Sequence, residues 1–207
     1  TLVLFDSVCG SNSGLAMQHQ GELFSLVARK ETLMEHTTPP TAADLFAAHM
    51  QAELEGDLDG TMQTMSANPH LTSVPVKTGG VGYDGVRQFY GEHLIGKFFP
   101  PDMENVLVSQ TVGVNQLVNE EFFRFTHSME MDWFLPGVPP TGKVIEVAIV
   151  VIVGVKDGLV THEHIYWDQA GVLAQIGLLD PTGLPICTDS AAKVLDPSLP
   201  NWEFQTP

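Results

Sequence analysis

The chain has 207 residues, 43% of them hydrophobic, and its 25 acidic side chains outnumber nine Lys and Arg to give a net charge of −16 at pH 7. This length predicts one main domain with a sizeable core. The negative charge repels nucleic acids and anionic lipid surfaces, so neither is an expected partner. The most apolar stretch, residues 144–155, contains Glu146 and is shorter than the roughly 18 apolar residues of a membrane helix, so we expect no membrane span.

Two cysteines, Cys9 and Cys187, stand far apart and outside any C-x-x-C or zinc-type spacing. Free thiols in a reducing compartment are therefore expected. The opening residues lack a basic leader, which favours a cytoplasmic location. The glycines of residues 79–85 do not form the G-x-x-x-x-G-K-[ST] phosphate loop, and we expect no cofactor.

The amino-terminal half predicts helices. Residues 1–40 read as an arm with a short amphipathic helix at 21–36. A firmer helix follows, because Thr41 and Asp44 fit a capping box. Gly56 and Gly60 are expected to bend or divide it. Apolar residues recur at four-residue steps and predict its buried stripe: Phe46, Met50, Leu54, Leu58 and Met62.

The remainder predicts mainly strands. Residues 69–76 read as a short strand and residues 83–95 as a third helix, and strand-like sequence then runs from 104 to 168. Lys156-Asp157-Gly158 is a tight-turn pattern that predicts an antiparallel hairpin. Helices followed by a meander of strands are typical of an α+β domain, with an antiparallel sheet against the helices.

Side chains alternate between the two faces of a strand, which divides "THEHIYWDQ" (161–169) into two sets. One face carries His162, His164, Tyr166 and Asp168, and the other carries Glu163, Ile165 and Trp167. The preceding strand, residues 144–155, is apolar on both faces, and helices can cover only one of them. A second copy of the chain on the other face is the simplest cover, so a homodimer is expected.

Three stretches resemble a known family: "GYDGVRQFY", "GVPPTGK" and above all "HIYWDQAGVLAQIGLL". They are similar to the SnoaL-like polyketide cyclases, and the resemblance covers roughly residues 42–180. It implies the cone-shaped α+β fold of nuclear transport factor two, a curved antiparallel sheet around amino-terminal helices with an internal cavity. The expected organisation is an arm (1–40), the cone domain (41–180) and a tail (181–207).

The resemblance also implies a site. In the cyclases a strand-end aspartate acts as general acid/base, and the matching residue is Asp168, with His164 as its expected catalytic partner. Strand parity would then place His162 and Tyr166 in the cavity as substrate contacts, and Ile165 and Trp167 on the convex dimer face. The implied activity is that of a cyclase, isomerase or dehydratase, the lyase and isomerase classes, acting on a small apolar or aromatic carbonyl compound, with a hydrolase as an open alternative.

Three further residues are expected to contact substrate: His127 and Trp133 in the strand-like stretch 122–134, and Tyr90 on the third helix. Two alternatives stay open. His162 and His164, with His127 and Glu130 or Asp168 nearby, could instead bind a metal ion, since two histidines on one strand face can reach one cation. The cavity could also bind a small ligand without turnover.

Overall fold

The computed structural model describes residues 40–188 and 190–201, which lie in the second of two compact units, residues 40–207. The predicted arm and its helix at 21–36 lie outside the described residues. Helix α1 spans Ala42–Glu55 and α2 spans Leu58–Gln63. The capping box of Thr41 and Asp44 is confirmed, and Gly56 ends α1 in the left-handed conformation (φ 76°), so the chain is divided where the glycines predicted.

The buried stripe of α1 differs from the predicted one. It consists of Ala42, Phe46, His49 and Glu53, whereas Leu54 is 63% exposed. A strict four-residue step drifts by about 40° per turn on a helix of 3.6 residues per turn, so steps of four, three and four residues stay on one face. The helix therefore turns a histidine and a glutamate toward the core.

The next elements form one edge of the sheet. Strand β1 spans Met65–Ser73 and β2 spans Thr78–Val81. Helix α3 covers Gly82–Phe89 and continues into a π-helical turn, Tyr90–Leu94. The predicted third helix is confirmed, with its last turn widened; such widened turns are frequent at functional sites.

Four long elements complete the domain: β3 (Glu104–Val112), β4 (Gln116–Thr126), β5 (Val144–Lys156) and β6 (Leu159–Trp167), followed by α4 (Gln169–Gln175). The sheet order is β2-β1-β6-β5-β4-β3, and the sheet is not closed. The hairpin of β5 and β6 is confirmed: Asp157 and Gly158 both have positive φ, as its tight turn requires. Every neighbouring pair is antiparallel except β1 and β6, which run parallel.

The inner face of the sheet carries the residues that were expected outside. Glu163, Ile165 and Trp167 are at most 9% exposed, and they pair with Val153, Val151 and Ile149 of β5. Their predicted position on a dimer face is wrong. Burying a tryptophan and an isoleucine against the helices contributes roughly 1.5–3 kcal/mol each, more than burying the histidine row would.

Part of the outer face is covered by the chain itself. A short 3-10 helix, Ser190–Val194, packs against β4 and β5 and buries Ala191. Part of the predicted tail thus belongs to the folded unit. Within the described ranges, no helix is both long and apolar enough to cross a membrane.

Candidate active site

A cavity of about 110 Å³ lies between α1, the π-helical turn, the loop before β3, and the inner face of the sheet. Its wall is mainly apolar and rich in aromatic rings. The polar residues that line it are Glu53 of α1, Glu163 of β6, Glu121 of β4 and Asn105 of β3. Glu53 and Glu163 are buried, whereas Asn105 is exposed and marks the mouth. Ligand sites commonly combine an apolar wall with a few placed polar groups in this way.

A buried cluster lies behind the two buried glutamates. His49 Nε2 is 2.9 Å from Glu53 Oε1, 2.9 Å from Glu163 Oε1 and 3.0 Å from the Tyr90 hydroxyl oxygen. His49 and Tyr90 have no solvent exposure. The cluster joins α1, the π-helical turn and β6, so its geometry depends on the packing of the whole domain.

The other ring nitrogen fixes the state of His49. Nδ1 lies 2.5 Å from Thr64 Oγ1, and the Thr64 hydroxyl donates its only proton to the Thr61 carbonyl oxygen at 2.6 Å. The hydroxyl can therefore only accept from the imidazole, so Nδ1 carries a hydrogen. Nε2 is left to face the carboxyl groups and to gain or lose the exchangeable proton.

Charge favours protonation of this nitrogen. Burial, the largest single effect, works against the imidazolium, but the charges and hydrogen bonds of Glu163 and Glu53 outweigh it and raise the pKa of His49 to about 10. Burial also raises the pKa of Glu53. Burial and the neighbouring carboxylates hold the pKa of Tyr90 well above its ordinary value. At neutral pH His49 and Tyr90 are therefore both protonated beside the cavity.

The two carboxyl groups keep unused acceptor capacity. Neither Glu53 Oε1 nor Glu163 Oε1 accepts a well-directed hydrogen bond from the described residues, although both are buried. His49 Nε2 has at most one hydrogen, which cannot point at both oxygens. The ligand atoms of His49, Glu53 and Glu163 lie within 4.8 Å of one another, so these three residues could hold a divalent cation. A proton on Nε2 would compete with that cation.

Asp168 lies elsewhere. It is the N-cap of α4, where its side chain accepts a hydrogen bond from the Gly171 backbone N–H at 3.0 Å. It is exposed and borders a separate small crevice with Glu146 and Gln175. The prediction that Asp168 faces the cavity is wrong, because the face of β6 that packs on the helices is the one with Glu163.

The other residues predicted on the same strand face as Asp168 also lie outside the cavity. His162 and His164 are half-buried on the outer face, and Tyr166 is 41% exposed. None of the three lines the cavity. Their predicted cavity contacts, and the pairing of His164 with Asp168 in a cavity, are corrected accordingly.

The three remaining candidates have different positions. Trp133 lines the cavity and donates its indole N–H to the Phe98 carbonyl oxygen at 2.9 Å. Tyr90 does not line the cavity, so its predicted substrate contact is corrected; its hydroxyl contacts His49 in the buried cluster behind the cavity. His127 is fully buried just after the end of β4, with Nδ1 3.1 Å from Thr141 Oγ1, and it does not line the cavity. Within the strand-like sequence predicted for 104–168, strand β4 ends at Thr126, before His127 and Trp133.

Sequence analysis missed His49, Glu53 and Glu163. One available signal was the four-residue spacing of His49 and Glu53, which places both on one face of the predicted helix. The other was the position of Glu163 on the same face of β6 as Ile165 and Trp167, since a carboxylate on a buried apolar face must be paired or functional.

Comparison with solved structures identifies the fold. No family model and no curated protein sequence matches the chain. A solved structure from a Jannaschia species, provisionally assigned as a SnoaL-like polyketide cyclase, matches with a TM-score of 0.53 and 19% identity, covering 68% of this chain and 96% of its own. An NTF2-like protein from Burkholderia xenovorans matches with a TM-score of 0.50 and 12% identity, covering 67% of this chain and 99% of its own.

This chain has the NTF2-like fold. The fold implied by the SnoaL-like resemblance is thereby confirmed. The cavity between its sheet and helices is lined by the carboxyl groups of Glu53 and Glu163, which both contact buried His49. Since one fold supports many activities, the function has to be argued from that pair.

Proposed function

We propose that this protein is a small-molecule enzyme that transfers protons on a carbonyl compound. The observation that carries the proposal is the position of His49 Nε2, 2.9 Å from each of two buried carboxyl groups that line an apolar cavity. Such an arrangement supplies both a proton donor and a proton acceptor to one bound molecule.

The two carboxyl groups take different parts. Burial raises the pKa of Glu53, so this group retains a proton more readily and can donate it to a carbonyl oxygen. Glu163 then acts as the carboxylate that removes a proton from the neighbouring carbon. A carbonyl oxygen that receives a hydrogen bond as negative charge develops makes this removal easier.

His49, Tyr90 and Thr64 act as positioning residues. They do not line the cavity, but they fix the carboxyl groups from behind. The imidazolium balances one negative charge and can return a proton to either glutamate. Its fixed Nδ1–H leaves only Nε2 to do so.

The wall of the cavity indicates the kind of substrate. Phe98, Phe99, Phe123 and Trp133 all line it, so we propose a small apolar or aromatic carbonyl compound. Proton transfer beside a carbonyl is a step of cyclisation, double-bond isomerisation and dehydration. The protein would therefore belong to the isomerase or lyase class.

Assembly and location are parts of the same proposal. The outer face of the sheet presents half-buried Val118, Val150 and Ile152 beside exposed Tyr166, and we propose that a second copy covers these residues in a homodimer. The cytoplasmic location stays a prediction from the cysteine pattern.

Two alternative functions, a metal-dependent enzyme and a non-catalytic binder, would use the cavity differently. A metal-dependent enzyme would use the ligand atoms of His49, Glu53 and Glu163, not His162 and His164, which lie outside the cavity. The raised pKa of His49 favours a proton over a cation at Nε2. A non-catalytic binder would fill the cavity without proton exchange.

The test uses 1-tetralone, an aromatic ketone, as the probe. Exchange of its α-hydrogens with D₂O is followed by proton NMR with wild-type protein, Glu163→Gln and Asp168→Asn. Exchange catalysed by wild type and Asp168→Asn but not by Glu163→Gln supports the proposal. Binding without exchange by 1-tetralone and a panel of related ketones supports the binder, and loss of exchange on treatment with a chelator supports the metal enzyme.

A further inference from the structure

Three histidines meet on the outer face of the sheet, opposite the face that lines the proposed active site. The parallel pairing of β1 with β6 places His70 beside His162 and Thr72 beside His164. The neighbouring positions Leu71 and Glu163 face the core, so His70, His162 and His164 all project to the opposite side. We name these three residues the outer histidine cluster.

The rings of the outer histidine cluster are in contact. Ring centroids are 5.1 Å apart for His70 and His162, 5.1 Å for His70 and His164, and 4.7 Å for His162 and His164. His70 Nε2 lies 3.0 Å from His164 Nε2. Without a bound ion, that contact holds one proton between two nitrogens.

The fold makes room for the third ring. Gly154 of β5 lies opposite His162, and a Cβ added at Gly154 would come within 2.1 Å of His162 Cε1. The imidazole therefore occupies the space that any other residue at position 154 would fill. The hydrogen bonds described for these rings are the one between His70 and His164 and the one between His162 and Thr161, so none of them joins a ring to a charged side chain.

We propose that the outer histidine cluster binds a transition-metal ion of the Zn²⁺, Cu²⁺ or Ni²⁺ class. Neutral imidazole nitrogens prefer these ions to Ca²⁺ or Mg²⁺, which take oxygen ligands. Two nitrogens at about 2.0–2.1 Å from one tetrahedral zinc are about 3.3 Å apart, close to the 3.0 Å separation of His70 and His164.

The electrostatic state of the rings agrees with this geometry. Burial, followed by the proximity of the other rings, lowers the pKa of His162 and His164.

His70 and His164 are the two preset ligands, and His162 joins by rotation. Within the part of the chain that the structure describes, three ligand atoms come within 4.8 Å of one another only at His49, Glu53 and Glu163. To act as the third ligand, the His162 ring would have to turn away from Gly154, against which it now packs. A metal bound there links β1 to β6, the one parallel pair of the sheet.

Zinc titration of untagged protein by calorimetry at pH 7.5 tests this site. We expect binding that weakens at least tenfold in His70→Gln and in His164→Gln, and less in His162→Gln. His93→Gln, which changes a half-buried histidine of the π-helical turn, is the matched control and should bind as wild type does. Circular dichroism of each variant verifies folding.

Other outcomes overturn the inference. They are the absence of zinc binding by wild type, unchanged binding in the His70→Gln/His164→Gln double variant, and loss of binding in Glu53→Gln with retention in His70→Gln. The last result would place the cation in the cavity. None of these outcomes depends on the ketone exchange that tests the proposed enzyme.

Discussion

His49 Nε2 lies 2.9 Å from Glu163 Oε1 and thereby joins the first described helix to the last strand of the sheet. Both side chains are at most 5% exposed. Breaking a buried ion pair by removing one partner leaves an uncompensated charge and costs about 3–5 kcal/mol. The contact therefore links the stability of the domain to the chemistry of its cavity.

The first prediction concerns Glu163→Gln, which keeps the shape of the side chain but removes its basicity. Turnover of a proton-transfer substrate should fall by roughly a hundred- to ten-thousand-fold, the usual contribution of a general acid or base. Rates from single-turnover or steady-state assays measure this loss. Binding of the substrate should persist, because the apolar wall is unchanged.

Asp168→Asn is the matched control at the residue that strand parity first suggested. Asparagine is also a good N-cap, so both activity and stability should stay close to wild type. Asp168→Ala removes the cap of α4 and should cost about 1 kcal/mol in the free energy of unfolding without a comparable loss of rate. A rate loss in Asp168→Asn as large as that in Glu163→Gln would contradict the assignment.

The second prediction concerns the protonation of His49. Nitrogen-15 NMR of the imidazole should show both ring nitrogens protonated at pH 8, with titration near pH 10. His162 and His164 should be neutral at the same pH, because burial and neighbouring rings lower the pKa of each. Glu163→Gln removes the carboxylate charge that raises the pKa of His49 most and should lower that pKa. A neutral His49 at pH 8 in wild type would refute the proposed charge state.

The third prediction is the sign of the pH dependence of stability. The folded-state pKa of His49 is above its ordinary 6.5, so its contribution is complete below pH 6.5 and is lost as pH rises to about 10. The lowered pKa values of His162 and His164 act in the opposite direction, since their contribution is present above pH 6.5 and is lost as pH falls.

Thermal unfolding measured from pH 4 to 10 should separate these two windows. In the double variant His162→Gln/His164→Gln the loss of stability on the acid side should shrink, while the loss between pH 6.5 and 10 should remain. Equal changes in both windows would show that the histidines of the outer cluster do not account for the acid side.

The fourth prediction concerns Gly154→Ala. The new methyl group would meet the His162 ring, so the free energy of unfolding should fall by about 1–3 kcal/mol, the usual cost of overpacking. Adding His162→Ala to Gly154→Ala removes the obstacle and should recover most of that loss. Additive effects in this double-mutant cycle would mean that the two residues are not in contact.

The fifth prediction concerns assembly. Light scattering should give about twice the 22.5 kDa mass of one chain for the wild type. Val150→Glu places a charge among the apolar residues of the outer face and should shift the mass toward that of a monomer. Leu54→Glu, a change at an exposed leucine of α1, is the control that should leave the mass unchanged. A monomeric wild type at all micromolar concentrations would remove the dimer from the proposal.

The sequence by itself determined the local structure of the described domain. Thr41 and Asp44 predicted the start of α1 because a capping box needs only neighbouring residues. Asp157 and Gly158 predicted the hairpin because both tolerate positive φ. The family resemblance supplied the α+β cone, and alternation correctly sorted residues 162–167 of β6 into two sets.

Only the tertiary structure decided which of those two sets faces the cavity. Alternation gives the same pattern for either orientation, and the choice depends on what the helices bury against the sheet. Likewise, no local pattern connects His49 to Glu163 or His70 to His164, because these contacts form only when distant segments pack together. The sequence therefore determined the elements and their faces, whereas the pairing of β1 with β6 and the packing of α1 on the sheet decided where the charged groups meet.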